Sequence, residues 1–165
     1  MVQAGESCEY MYNTNGNITK ASRNGVETTY VYDALSQLVR VNCSHENHTE
    51  TFAYDRGGNL LSRRVYAFTK GDLPDNALLE TVYCYDDADW KDKLTAFDGK
   101  PITYDEIGNP LNDGTWTYTW KHGRQLAKME KSGEAVQYAY NRDKLRMRKE
   151  SGSGGVTTHL LSSSL

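Results

Sequence analysis

The large apolar positions of this chain alternate with small or polar ones. Tyr30-Val31-Tyr32, Phe52-Ala53-Tyr54, Tyr83-Cys84-Tyr85 and Ile102-Thr103-Tyr104 each set two large side chains two residues apart, and an Asp follows every one. Period two marks a half-buried strand, with side chains alternately on opposite faces. Tyr30 and Tyr32 then share a face and Val31 points away. Looser copies are Tyr10-Met11-Tyr12, Tyr118-Thr119-Trp120 and Tyr138-Ala139-Tyr140. The second aromatic falls at positions 12, 32, 54, 85, 104, 120 and 140, with spacings of 20, 22, 31, 19, 16 and 20 residues. The long spacing holds Gly71 and Pro74, which predicts a loop inserted near 66–80. A sustained 3.6-residue period, the mark of a helix, is absent.

Two kinds of turn separate the strands. After the aromatic pair comes Asp or Asn, then Gly-Asn at Gly16-Asn17, Gly58-Asn59 and Gly108-Asn109, then an apolar residue. An Asp side chain can accept from backbone N–H groups two residues on, and Gly tolerates the positive φ of a tight reversal. Midway between copies stand Asn24-Gly25, Asp98-Gly99, Asp113-Gly114 and Ser132-Gly133. Asn-Gly and Asp-Gly are strong hairpin signals. Each unit is thus two strands and two reversals, and seven units predict about fourteen antiparallel strands. The expected fold is all-β: hairpin repeats in one coiled open sheet, since open sheets seldom exceed about 10 strands without curling. The expected organisation is an N-terminal extension over 1–9, a repeat region over 10–150 and a Gly/Ser-rich tail over 151–165.

Composition changes this picture in one respect. Apolar residues are only 38% of the 165, but twelve are Tyr. Whatever core exists is built from tyrosine, whose hydroxyl must find a partner or reach water. The net charge of −3 gives no overall nucleic-acid surface. No apolar run is long enough to span a bilayer, and Met1 to Tyr10 do not resemble a signal peptide. Cys8, Cys43 and Cys84 lack zinc spacing and read as thiols outside any metal site.

Candidate chemistry is thin. Asp33, Asp55, Asp86 and Asp105 recur once per repeat at a turn, as turn formers do, whereas catalytic carboxylates converge in a cleft. Asp86, Asp87, Asp89 and Asp92 are the densest acidic cluster, but a calcium loop also needs a central Gly and a closing Glu, both absent here. His45 and His48 fall in a polar hairpin loop instead of on one face of a helix. Arg142, Lys144, Arg146 and Arg148 alternate as a basic stripe, read as a charged solvent face or a protected edge strand. Asn17-Ile-Thr, Asn42-Cys-Ser and Asn47-His-Thr are sequons at about the frequency chance provides. No nucleophile motif occurs. The expectation is no enzyme, no cofactor and no metal.

The repeated Tyr-x-Tyr-Asp-x-x-Gly-Asn-Leu resembles the RHS, or YD, repeat of bacterial RHS proteins, toxin-complex shells and animal teneurins. Asp89-Trp-Lys-Asp-Lys-Leu94, Ile102-Thr-Tyr-Asp-Glu-Ile-Gly-Asn-Pro110, Trp116-Thr-Tyr-Thr-Trp120 and Gly123-Arg-Gln-Leu126 are similar to runs in such proteins of Gram-positive bacteria. The resemblance covers about Tyr10 to Lys149. It implies a β-strip spiralling into a hollow shell that encloses or displays a C-terminal toxin, in a secreted or cell-surface parent protein. The implied partners are the remaining repeats and that effector, with cell-surface glycans as a further candidate, and neither nucleic acid nor membrane insertion. Lys144 stands where the family has Gly, which is expected to strain or reshape its turn. The C-terminal autoproteolytic region is not matched, and the chain reads as a fragment or truncated copy. The signature residues are Tyr30, Tyr32, Asp33, Tyr54, Asp55, Gly58, Asn59, Tyr85, Asp86, Tyr104, Asp105, Gly108 and Asn109, with a structural role. A carbohydrate- or cell-wall-binding module of aromatic hairpins is the alternative reading, because exposed Tyr and Trp can stack on sugar rings.

Overall fold

The computed structural model describes residues 7–152 and 154–158, and every regular element in them is a β-strand. The chain divides into two compact units, one ending at Cys84 and the other beginning at Tyr85. Residues 1–6, 153 and 159–165, with parts of the expected N-terminal extension and tail, lie outside the described residues.

In the first unit, β1 (Cys8–Tyr12), β2 (Ile18–Arg23), β3 (Val26–Tyr32), β4 (Leu38–Cys43), β5 (His48–Tyr54), β6 (Leu60–Ala67) and β7 (Leu79–Cys84) lie side by side in chain order. Every neighbouring pair is antiparallel. The second unit holds the hairpin β8 (Ala96–Phe97) and β9 (Lys100–Pro101). It continues with β10 (Thr103–Tyr104), β11 (Pro110–Asn112), β12 (Thr117–Lys121), β13 (Gln125–Lys131), β14 (Glu134–Tyr140), β15 (Arg146–Ser151) and β16 (Val156–Thr158), again in chain order. The sheets are open and antiparallel throughout. Sixteen strands are described where the repeat count gives about fourteen. One surplus strand arises because β9 and β10 are a single run interrupted at Ile102, just after Pro101, which has no N–H for a ladder. The other is β16, which opens a further unit.

A meander of this kind is one layer thick, and it buries little. Tyr66, at 7% exposure, is the one buried apolar side chain among the described residues. The fully buried side chain is a polar one, Thr49, with Asn42 and Asn109 close behind. Thr49 and Asn42 belong to a network that pins the loop between β6 and β7. Asn42 Nδ2 donates to Thr29 Oγ1 at 2.9 Å, and Arg40 Nε donates to Asn42 Oδ1 at 2.8 Å. The Arg40 guanidinium reaches into the loop, donating to the carbonyls of Thr69 and Gly71 at 2.7 and 2.9 Å. Thr49 Oγ1 accepts from the Thr69 N–H at 3.0 Å and lies 3.0 Å from the Thr69 carbonyl. Thr49 and Asn42 are buried, and their polar groups find partners within the protein.

The basic stripe does not lie along one strand. Arg142 and Lys144 occupy the turn before β15, while Arg146 and Arg148 are in β15 itself, which β16 covers as an interior strand. Arg146 sits over the Tyr138 ring and Arg148 pairs with Glu150 at 3.1 Å. His48 opens β5 and is not a loop residue; its Nε2 is 3.1 Å from Glu50, which Arg63 also binds. No disulfide and no metal-holding cluster occurs among the described residues. Nor is any helix there long and apolar enough to cross a membrane.

Thr49→Val keeps the volume and removes the hydroxyl. It is expected to leave the Thr69 N–H unsatisfied, to destabilise the first unit by about 1–3 kcal/mol in urea denaturation, and to speed proteolysis within residues 68–78.

Candidate functional site: the turn and clasp of each repeat

The recurrent turn is one hydrogen-bonded device in five copies, starting at Asn13, Asp33, Asp55, Asp105 and Asn141. In each, the first residue's N–H donates to the carbonyl four residues on, at 2.9 to 3.0 Å. Its carbonyl accepts from the N–H three residues on, at 3.1 to 3.2 Å. Its side-chain oxygen accepts from the N–H groups two and four residues on. For Asp55 these are Gly57 at 2.8 Å and Asn59 at 2.9 Å; for Asp105, Ile107 at 3.1 Å and Asn109 at 2.8 Å. Asn13, Asp33 and Asn141 repeat the pattern with Asn15 and Asn17, Leu35 and Gln37, and Asp143 and Leu145. An Asx side chain thus satisfies backbone donors that the reversal removes from the ladder.

The fourth position must adopt positive φ, and it does so at Gly16, Ser36, Gly58, Gly108 and Lys144. Lys144, at φ 64, keeps the same bonds as its glycine counterparts, so the turn is not reshaped. The departure from Gly is carried as backbone strain alone. Gly108 is required twice over, because a Cβ there would also lie 2.9 Å from the Trp90 ring.

The second aromatic sits at a register shift immediately before its turn, as at Val31/Tyr32, Ala53/Tyr54, Thr103/Tyr104, Thr119/Trp120 and Ala139/Tyr140. Its polar tip then reaches back to an earlier backbone carbonyl. Tyr32 donates to Ile18 at 2.9 Å and Tyr54 to Leu38 at 2.9 Å. Tyr104 donates to Leu94 at 2.7 Å, Trp120 Nε1 to Pro110 at 2.7 Å and Tyr140 to Leu126 at 3.1 Å. Trp and Tyr are interchangeable here because each is a flat ring with a donor at its far end. Tyr30, the first aromatic of its pair, is half-buried beside Tyr32 and is held above the usual phenol range, by desolvation first. The hydroxyls of Tyr54 and Tyr104 are raised for the same leading reason.

Neighbouring turns also touch. Asn109 Nδ2 donates to Asp105 Oδ2 and to the Gly123 carbonyl, both at 2.7 Å, and Arg124 donates to the Ile107 carbonyl at 2.9 Å. Asn59 Nδ2 donates to Asp55 Oδ2 at 2.9 Å. This bond leads the causes that hold the Asp55 carboxyl below its ordinary value. At Asp105 desolvation pushes upward but is outweighed by the bonds from Asn109 and Ile107, so that carboxyl is lowered too.

Two sequence-derived positions depart from the scheme. Asp86 makes no such turn: its N–H donates to Thr95 Oγ1 at 3.0 Å. The residue three beyond it is Asp89, which does not take the positive φ that closes the other reversals. Asp87 caps this segment instead, accepting from the N–H groups of Asp89 and Trp90 at 3.1 and 2.9 Å and from Lys93 Nζ at 2.8 Å. The Lys93 bond is the main reason its carboxyl falls to about 2. Tyr85 is half-buried just beyond the end of β7. Asp113 was legible only as half of a hairpin signal. It accepts from Thr115, Trp116 and the Tyr118 hydroxyl, and the Tyr118 phenol is pushed up to about 12, by desolvation first and then by Asp113.

The RHS Repeat family model matches residues 12–44, a span running from Tyr12 through the whole turn at Asp33 to the end of β4. No curated protein matches the chain. Among solved structures, TcdB2-TccC3-TEV is similar over 94% of this chain, with a TM-score of 0.53 and 18% identity. TcdB2-TccC3-Cdc42 is similar over 88%, at 0.51 and 19%. A Photorhabdus luminescens Tc holotoxin pore is similar over 90%, at 0.51 and 15%. The chain spans only 9 to 10% of the length of those chains, and the likeness is one of fold.

Asn17 Nδ2 is buried without an acceptor, because Asn13 stands where Asp55 and Asp105 offer a second carboxylate oxygen. Asn13→Asp is expected to raise stability by about 1 kcal/mol at pH 7. A carboxylate lowered by such bonds stabilises above its unfolded value, near about pH 4, and the gain disappears as pH falls through the folded value; urea titrations at pH 7 and pH 2.5 measure both. Tyr54→Phe keeps the ring and deletes the clasp, with an expected cost of about 1 kcal/mol by the same assay.

The RHS Repeat match covers residues 12–44, and beyond it the same turn recurs at Asp55, Asp105 and Asn141 in a fold shared with those structures.

Proposed function

We propose that this chain is a length of wall in an RHS-type shell that encloses or displays a C-terminal effector of a secreted or cell-surface parent protein. The observation that supports it is the single-layer sheet whose repeats are fastened edge to edge by polar clasps, with one buried apolar side chain among the described residues. A sheet of this kind divides one space from another. A catalytic domain instead gathers its chemistry in a dry cleft. The signature residues Tyr30, Tyr32, Asp33, Tyr54, Asp55, Gly58, Asn59, Tyr85, Asp86, Tyr104, Asp105, Gly108 and Asn109 act structurally in this reading. Residues 10–150 form one repeat array, interrupted near 66–80. The partners are the remaining repeats and the effector. One related solved structure is described as lacking a hypervariable C-terminal region; a variable passenger behind a constant wall fits that description.

The natural gene product, purified whole, is expected to appear as a hollow particle by electron microscopy, with its C-terminal segment resisting protease until the particle is denatured. A solid particle, or a C-terminal segment cut at the rate of the isolated segment, contradicts the proposal.

A further inference from the structure

Three cations of the second unit, Lys93, Lys131 and Arg146, lie over aromatic rings. The first of them sits in a cage. Lys93 Nζ is 5.9 Å from the centre of the Trp90 ring and 5.2 Å from that of Tyr104, and it donates to Asp87 Oδ2 at 2.8 Å. Two rings present the negative faces of their π systems, and a carboxylate adds the counter-charge. A lysine stem can meanwhile lie along apolar surface. This is the segment in which Asp86 forms no Asx turn, so the cage stands where the repeat departs from its own pattern.

A second set of the same groups lies at the neighbouring hairpin tips. The tips after β8 and β11 pack side by side, so closely that a Cβ on Gly114 would come within 2.6 Å of the Lys100 Cβ. Between them is a cavity of about 320 Å³ whose apolar lining is Leu94, Phe97, Ile102 and Trp116. That volume is at the lower end of small-ligand sites. Its walls are fixed from behind. The Trp116 N–H donates to Asp113 Oδ1 at 2.7 Å, and Lys131, which does not line the cavity, lies 4.7 Å over the Trp116 ring. Tyr104 holds the Leu94 carbonyl, and the Ile102 N–H donates to the Thr95 carbonyl at 2.8 Å.

The charged groups lining the cavity are unequal: Asp98 and Asp113 against Lys100. Lys100 Nζ is drawn to Thr115 Oγ1 at 3.1 Å. Asp113 is engaged by the Thr115 and Trp116 N–H groups and the Tyr118 hydroxyl. Among the described residues none donates to the Asp98 carboxylate. Two rings, two aliphatic side chains and a carboxylate are thus assembled as around Lys93, without the lysine.

We propose that this cavity receives the lysine side chain of a partner segment. The stem lies against Leu94 and Ile102, and the ammonium binds Asp98 beside the Phe97 and Trp116 rings. A neutral apolar side chain gives Asp98 no partner, and an acidic one meets two carboxylates, so the excess negative charge selects a cation. The inference does not rest on the shell reading, and the failure of either leaves the other standing.

The test titrates the full, isotope-labelled chain with Nα-acetyl-lysine amide at constant ionic strength and follows amide and indole shifts by NMR. Saturable shifts centred on residues 94–102 and 113–116 are expected, with a Kd on the order of millimolar. Nα-acetyl-norleucine amide has the stem without the ammonium and is expected to bind about tenfold more weakly. Asp98→Asn keeps a residue that tolerates the positive φ of this tip and is expected to lose about as much. Lys100→Met removes the competing cation and is expected to bind about threefold more tightly, a gain that damage to the fold does not produce. Absence of saturable shifts at these residues, equal affinity for the norleucine compound, or weaker binding by Lys100→Met overturns the proposal. So does putrescine binding more than about tenfold more tightly than the lysine amide, which assigns the cavity to a free diamine.

Discussion

A sheet one layer thick cannot draw its stability from a hydrophobic interior, and that constraint governs the rest of this structure. Area removed from water is the usual source of folding free energy. Here one apolar side chain is buried among the described residues, and the fully excluded side chain is a threonine. Order has to come from hydrogen bonds whose partners are held in place, those from the tips of half-buried aromatic rings included. The Asx turn and the aromatic clasp supply them. One stops the strand at a fixed residue; the other ties that stop to the strand before it.

The two devices explain why the repeat tolerates so much variation elsewhere. Trp120 replaces Tyr because the clasp needs only a donor at the far end of a ring. Ser36 and Lys144 replace Gly because the closing residue has to hold positive φ and little else. Asn13 and Asn141 replace Asp because one side-chain oxygen suffices for two backbone donors. The cost of Asn13 appears one contact away, at the unpartnered amide of Asn17. Gly108 is less replaceable, since Trp90 occupies the space a side chain would take.

Much of this was legible in the sequence. The alternation around Tyr30, Tyr54 and Tyr104 locates strands, and Asp33, Asp55 and Asp105 locate turns with the bonding the residue type implies. The clasp was not legible, because nothing in Tyr32 names the Ile18 carbonyl; that pairing depends on the register of two strands. The same holds for Arg40, Asn42 and Thr49, which look like ordinary strand residues until the loop at Thr69 folds over them. Asp86 misled because the local motif was intact while the residue three positions later, Asp89, does not take the positive φ that closes the turn. The basic stripe misled because alternation over Arg142 to Arg148 runs through a turn.

Polar turns, in place of a core, hold the repeats in register. Amide hydrogen exchange by NMR at Asn17, Gln37, Asn59, Asn109 and Leu145 tests it most directly, because these N–H groups donate to an Asx side chain outside the strand ladders. Protection comparable to that of the adjoining strands is the predicted result. Exchange at the rate of an unstructured loop, with the strands still protected, would contradict it.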